Sequence, residues 1–482
     1  MTTTQHETAG ENRTDIADHY DVAVIGAGPA GTAAALRAAE LGASVVVLEA
    51  GRLGGTCVNT GCVPTRVLAK TARLIRETRS AGDYGVQVAA PTIDWAATVE
   101  RVHERVDAVR SIKREAGRFA EAGVHLVQEG RARFVDDSTL VLDSGRRISA
   151  TSILVCVGGH SRRLPVPGNE LATVPEDVLS LPELPRRVAV IGAGNTGAQL
   201  VTVFNAFGSE VTLLDVAPRI LIASDPSIAE VVTDAFVEQG VDVRTGISTV
   251  ESLERAGNGA ITLTWKEGDE SVSRHVDAVI MATGWPADVE DLGLENAGIE
   301  VVKSSIPADR YFRTSVPHIF SVGDANGRDM LVQAAQFEGE AAAENAVLEA
   351  NRRTPHHLLP AGGFTDPDYA GVGLTQEQAR EQDPGCVIAR VPFSSVDRAV
   401  IDDRESGFLL LIADRRRELI LGAHAVGENA IEVVQSVTTA MAAGVDVATL
   451  ANVRFAYPTY SAVIGMAARV LLAEAAAPID RD

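Results

Sequence analysis

The chain has 482 residues, 46% of them hydrophobic, and its 43 Lys and Arg stand against 65 Asp and Glu for a net charge of −22. That charge argues against nucleic acid or an anionic membrane surface as the main partner, and no run of about 18 apolar residues offers a membrane span. The length exceeds one ordinary core and predicts roughly three domains; with no apolar signal segment, a cytoplasmic protein is expected.

In chain order, residues 1–18 are polar and are expected to form a disordered tail. Residues 20–25 make a β-branched run typical of a buried strand. It is followed at once by Gly26, Gly28 and Gly31 in a Gly-x-Gly-x-x-Gly motif and by an alanine-rich helical stretch to residue 41. A second strand over 44–48 ends in Glu49, 23 residues after the first glycine. Strand, glycine loop, helix, strand and carboxylate form the βαβ unit that binds a dinucleotide. The glycines admit a pyrophosphate to the helix N-terminus, and Glu49 would accept hydrogen bonds from a ribose.

Cys57 and Cys62 come next, in a loop that also holds Gly55 and Gly61. Two thiols this close in a large chain point to metal binding or redox chemistry more than to a structural staple. The glycines permit the turn that lets the sulfurs meet. Pro64 suits the first turn of a helix through Val67 and Leu68, which puts Cys62 at the positive end of a helix dipole, where a thiolate is stabilised. The other two cysteines, Cys156 in an apolar run and Cys386, are expected to be structural.

The dinucleotide pattern recurs with a strand over 187–191, then Gly192, Gly194 and Gly197, a helix to 207, and a strand over 210–214. That strand ends in Asp215, again 23 residues after the first glycine. Two copies with matched spacing imply two nucleotide cofactors. Asp215 should bond a free 2′-hydroxyl and repel a 2′-phosphate, which favours NADH, while Arg219 nearby could soften that preference. The charged stretch 349–360 predicts a domain boundary in which His356 and His357 are solvated. Apolar strands over 407–413 and 418–426, joined by a basic turn, predict a final sheet-plus-helix domain.

This succession of a dinucleotide fold, a Cys-x4-Cys loop and a second dinucleotide fold resembles the class I pyridine nucleotide-disulfide oxidoreductases, among them dihydrolipoyl dehydrogenase, glutathione reductase and mercuric reductase. Residues 314–325 are similar to that family's second flavin motif, with Asp324 matching the aspartate that holds the ribityl chain of FAD. Residues 364–375 resemble the opening of its dimerisation domain. The resemblance implies an α/β protein with two Rossmann-like domains, one for FAD over residues 19–150 and 285–350 and one for NAD(P)H over 151–284. It also implies a C-terminal α+β interface domain over 355–475 that makes a homodimer. Electrons would pass from NADH to FAD and on to a Cys57/Cys62 disulfide, Cys62 facing the flavin and Cys57 the substrate. No bound metal is expected.

Departures from the family pattern bear on the acceptor. Dihydrolipoyl dehydrogenases and glutathione reductases carry a histidine and a glutamate near the C-terminus that serve the outer thiol with protons; this chain has Tyr457 and Ala462 there. A tyrosine near pKa 10 is a poor base at neutral pH, so turnover of an ordinary dithiol is expected to be slow. Mercuric reductases are similar in having a tyrosine, which suits a soft electrophile held by sulfur. Their C-terminal vicinal cysteines and N-terminal Cys-x2-Cys domain are not in this sequence. The family commonly pairs a lysine, here Arg66, with a glutamate, here Gln199, beside the flavin. That exchange leaves more positive charge and is expected to raise the flavin potential. Asn195 stands where some relatives have a tyrosine lid, which would open the nicotinamide pocket. The expected activity is an FAD-dependent NAD(P)H oxidoreductase acting on a small-molecule or thiol-bound metal-ion acceptor, with mercuric ion foremost. A disulfide or quinone is the alternative acceptor, and a flavin-dependent redox sensor is the alternative from another class.

Overall fold

The computed structural model describes residues 19–257 and 259–476; the polar stretch 1–18, with its expected disorder, lies outside them. The described chain forms two compact units, one of residues 19–55, 113–159 and 287–354 and one of residues 56–112, 160–286 and 355–476.

The first unit is built on a seven-stranded sheet. Strand His19–Ile25 pairs in parallel with Val45–Leu48 on one side and Arg147–Val155 on the other. His125–Val127 extends the parallel part past Val45–Leu48, and Ile319–Ser321 runs parallel to Arg147–Val155. Antiparallel Thr139–Leu142 and Ala132–Phe134 complete the sheet. Both faces are covered, so the central strand has no polar side: Val22 and Val24 enter one apolar cluster, Ala23 and Ile25 the other. Helices Pro29–Glu40 and Val332–Leu348 pack on each other through small residues. At Gly339 their backbones come so close that a Cβ would stand 2.3 Å from the carbonyl oxygen of Ala30.

The second unit holds three sheets. Ala278–Met281, Arg187–Ile191, Glu210–Asp215 and Asp242–Thr245 form an all-parallel sheet in that order. Thr249–Arg255, Ile261–Glu267 and Glu270–Val276 form an antiparallel sheet. An antiparallel five-stranded sheet runs Ala361–Gly363, Tyr369–Gly373, Ile420–Val426, Phe408–Ala413, Val387–Pro392. Strand Phe408–Ala413 is buried throughout, and its period of two divides its contacts. Leu409 and Leu411 join Val433, Val437, Val463 and Ala467 of helices Ala430–Ala442 and Ala462–Ala476. Phe408 and Leu410 join Leu68 and Ile75 of helix Cys62–Ser80 and Phe204 of helix Asn195–Phe207. The cysteine helix, the second glycine-loop helix and the C-terminal sheet therefore share one core. Among the described residues no helix is long and apolar enough to cross a membrane.

Candidate functional site

In the first unit the glycine motif is dictated by space. Gly26 has φ +98°, and a Cβ there would stand 2.5 Å from the carbonyl oxygen of Cys156; one on Gly31 would stand 1.9 Å from that of Gly26. Gly28 caps helix Pro29–Glu40, so no side chain obstructs the helix N-terminus. A Cβ on Gly55 would lie 2.8 Å from the Cα of Gly28. The result is a cradle of bare backbone that fits a pyrophosphate. Glu49 accepts from the Ala27 N–H through one oxygen and from the Gly51 N–H through the other, both at 2.7 Å. The carboxylate that would meet a ribose thus also holds the loop.

Asp324 lies in the turn Gly323–Asn326 after strand Ile319–Ser321. Beneath it Glu338, fully buried on helix Val332–Leu348, accepts from the Gly323 N–H and the Asn326 side-chain N–H, both at 2.8 Å. Sequence reasoning missed Glu338. The one available signal was the neighbouring Gly339, which helix propensity disfavours in a helix interior.

The second unit repeats the loop. Gly192 has φ +102°, and a Cβ there would stand 2.2 Å from the Ala282 carbonyl oxygen; one on Gly197 would stand 1.8 Å from that of Gly192. Gly194 caps helix Asn195–Phe207 with φ −74° and ψ −172°, the values of Gly28. Asp215 accepts from the N–H groups of Ala193 and Ala217. Arg219 donates to the carbonyls of Leu221 and Ile222 at 2.9 Å and Ser224 at 3.0 Å. Its guanidinium is therefore bound into its own loop.

The cysteine segment is a short helix, Gly55–Asn59, where an open loop was expected. The Thr60 and Gly61 amides return to the Thr56 carbonyl at 3.0 and 2.7 Å, Val58 is fully buried, and Asn59 is held by Arg110 at 2.6 Å. Gly61 then caps helix Cys62–Ser80, with Pro64 in its first turn. Cys62 takes the first helical position and is exposed, whereas Cys57 is half-buried. Burial, with Glu338 second, drives the Cys156 thiol far up, and burial also raises that of Cys386, so neither is poised for thiolate chemistry.

One turn after Cys62, the Arg66 guanidinium lies 3.2 Å from the centroid of the Phe364 ring and donates to Gln199. Burial lowers it to about 10, opposed by the attraction of Cys62, Asp368 and Tyr369, so it stays charged at neutral pH. Gln199 donates to the Asn195 carbonyl at 2.8 Å, and the Asn195 side-chain oxygen accepts from the Tyr369 hydroxyl at 2.7 Å. Asn195 is thus tied to strand Tyr369–Gly373. Farther along the cysteine helix Arg73 and Arg76 meet Asp366, Asp368 and Glu428.

Tyr457 is 80% exposed and stands beside Asp397, whose carboxylate holds the phenol above its usual value. Ala462 opens helix Ala462–Ala476. Neither offers a base.

The family model for pyridine nucleotide-disulphide oxidoreductases matches residues 20–339, and that for the family's dimerisation domain matches residues 359–468. A mercuric reductase of Staphylococcus aureus is 32% identical over 452 residues, 93% of this chain and 82% of its own length. A dihydrolipoyl dehydrogenase of Mycobacterium tuberculosis is 33% identical over 461 residues, 92% of this chain and 96% of its own. Among solved structures, the HOCl-induced flavoprotein disulfide reductase RclA from Escherichia coli is similar with a TM-score of 0.83 at 25% identity, covering 94% of this chain and 100% of that one. Its Cu(II) complex gives a TM-score of 0.82. With both glycine loops, the cysteine helix and the dimerisation domain accounted for, the chain belongs to the class I pyridine nucleotide-disulfide oxidoreductases, flavoenzymes that use FAD and NAD(P)H.

Proposed function

We propose that this enzyme oxidises NADH and delivers the electrons through Cys57 and Cys62 to a soft, thiol-bound electrophile of the mercuric-ion kind, as a homodimer in the cytoplasm. Bound FAD would supply the two-electron chemistry that links hydride from the nicotinamide to the thiol pair. In this reading Gly26, Gly28, Gly31, Glu49 and Asp324 hold FAD, while Gly192, Gly194, Gly197 and Asp215 hold NADH. Cys62 at its helix N-terminus, one turn from the charged Arg66, keeps thiolate character without a proton acceptor.

The observation that carries the reading is Tyr457, an exposed phenol whose proton is held more tightly because of Asp397. Exchange with an organic disulfide needs protons moved on and off the outer thiol in each turnover, whereas a thiophilic cation is bound by thiolates directly. The reaction balances: a mercuric dithiolate, NADH and a proton give elemental mercury, two thiols and NAD⁺. The name of the mercuric reductase relative and the Cu(II) complex of the RclA neighbour weigh the same way.

NADH oxidation by the FAD-loaded protein, measured anaerobically against Hg(II) in excess thiol, lipoamide, an oxidised low-molecular-weight thiol and a quinone, tests this. Hg(II) is expected to outrun lipoamide by about a hundredfold, the usual scale of a missing general base, and Cys57→Ala to abolish the Hg(II) rate. Lipoamide as the best acceptor would overturn the reading of Tyr457. Full activity in Cys57→Ala would overturn the route through the cysteine pair.

A further inference from the structure

We infer that Glu338 is a positioning residue for FAD: its carboxyl carries the Gly323–Asn326 turn that presents Asp324, and Gly339 beside it fixes that turn to the first turn of the pyrophosphate helix. The inference rests on the reading of Asp324 as a flavin ligand.

Three packing facts support it. Glu338 grips the turn on both sides of Asp324, through the Gly323 N–H and the Asn326 side chain, each at 2.8 Å. Gly323 has φ +67°, and a Cβ on it would meet the Cβ atoms of Ala30 at 3.2 Å and Ala335 at 3.3 Å. A Cβ on Gly339 would meet the Ala30 carbonyl oxygen at 2.3 Å and the Ala34 nitrogen at 3.1 Å. Ala30, in the first turn of helix Pro29–Glu40, is thus the contact shared by both glycines. The carboxyl, the turn and the helix start form one block without slack, although the two FAD motifs are separated by almost 300 residues of sequence. A site assembled before the cofactor arrives loses less freedom on binding it.

The hydrogen bonding also defines the state of the acid. One oxygen of Glu338 accepts twice, while the other is buried without a partner among the described residues, as is the Ser321 hydroxyl two residues before Gly323. A neutral acid with its proton on the second oxygen fits that asymmetry better than a carboxylate, whose second oxygen would be an unpaired buried charge. Burial raises the Glu338 carboxyl above the usual range against these two hydrogen bonds, with Asp329 adding to the rise and Arg328 opposing it; the neighbouring Cys156 thiol is neutral.

FAD occupancy of the purified full chain and the rate of FAD loss test the inference. Glu338→Ala is expected to lower occupancy at least about fivefold, the scale of removing one partner of a buried hydrogen-bonded group. Asn326→Asp keeps the oxygen that accepts from the Arg328 N–H at 2.9 Å but sets an acceptor where Glu338 requires a donor. It should speed FAD loss about tenfold. Glu338→Gln keeps an uncharged acceptor for both bonds and should retain FAD as the native protein does, whereas Glu338→Met, of similar volume but without an acceptor, should lose it about tenfold faster, a contrast that a residue acting only as core filling would not give. Wild-type occupancy in Glu338→Ala, or a Glu338→Met variant that retains FAD as well as Glu338→Gln, would overturn the inference; if Glu338→Ala fails to fold, the Gln and Met pair decides. Asp324→Ala separates the two levels. Wild-type FAD retention there defeats the flavin reading of the turn, and FAD loss there with none in the Glu338 and Asn326 variants defeats the role of Glu338 alone.

Discussion

The two glycine loops have one backbone and two settings. Gly28 and Gly194 share their dihedral angles, and Glu49 and Asp215 each bind the amide after the first glycine of their loop. Beyond that the loops part. The helix after the first is seated on Ala and Gly, with Gly323 and Gly339 against Ala30. The helix after the second begins with polar residues that face the cysteine helix and the C-terminal sheet, Asn195 to Tyr369 and Gln199 to Arg66. A dry seat without slack suits a cofactor that stays. A hydrogen-bonded seat fastened to the thiol-bearing helix suits a nucleotide that comes and goes while its electrons travel on. The difference lies in what each loop is attached to, since the backbone of the loop is common to both.

Alanine at the third glycine attacks the shared part and should produce the largest effects. A Cβ 1.9 Å from a carbonyl oxygen in Gly31→Ala, or 1.8 Å in Gly197→Ala, fits only if the loop moves. Gly31→Ala is expected to purify colourless. Gly197→Ala is expected to stay yellow while its kcat/KM for NADH falls roughly a hundredfold, equivalent to a few kcal/mol of binding. Absorbance and steady-state rates decide, and a yellow, active Gly31→Ala would show that the two loops differ even in their glycines.

Asp215→Asn is a milder probe. The amide keeps an oxygen for a loop N–H but loses the charge that repels a 2′-phosphate. The ratio of kcat/KM for NADH over NADPH should narrow about tenfold. An unchanged ratio would place the discrimination elsewhere than at Asp215.

Both βαβ units and the cysteine helix were legible in the sequence because each follows a local rule: β-branched runs, glycines at fixed spacing, a proline in a first turn. The helical form of Gly55–Asn59 was not, since five residues carry no period and the burial of Val58 and the grip of Arg110 on Asn59 come from elsewhere in the chain. The partners of Asn195 and of the Asp324 turn were also hidden. Tyr369 lies 174 residues from Asn195, a separation no spacing rule spans. Glu338 lies 15 from Gly323, but in a helix where a buried acid has no propensity signature. The replacement of the family's lysine and glutamate by Arg66 and Gln199 was legible, whereas the stacking of Arg66 on Phe364 was not.

Gln199→Glu tests whether the second loop does speak to the thiols. A carboxylate beside Arg66 would neutralise the cation one turn from Cys62 and so weaken its support for the thiolate. In a Cys57→Ser background, alkylation of Cys62 at pH 7 is expected to slow about threefold, as for the loss of one nearby positive charge partly screened by water. An unchanged rate would mean that the helix N-terminus alone sustains Cys62.

The smallest expected effect concerns the far end of the same helix. Arg73 bonds Asp368 at 3.2 Å and also Glu428, while Arg76 bonds Asp366 at 2.6 Å and Glu428 at 2.9 Å. Three carboxylates thus share two guanidinium groups, and the most buried of them is the one left under-compensated. Burial pushes Asp368 up to about 7, with Arg73 and Arg76 pulling it down and Glu428 and Glu432 pushing it further. The folded carboxyl then titrates above its unfolded value near 3.8, so the native state holds the extra proton between those two values. Its contribution to stability is whole below the unfolded value and is lost as pH rises through about 7. Asp368→Asn fixes the neutral form, and its Tm should therefore fall less than that of the native protein between pH 5 and 8, by a few °C. Equal slopes would mean that Asp368 is ionised across that range and that the cysteine helix is anchored by a fully ionised cluster.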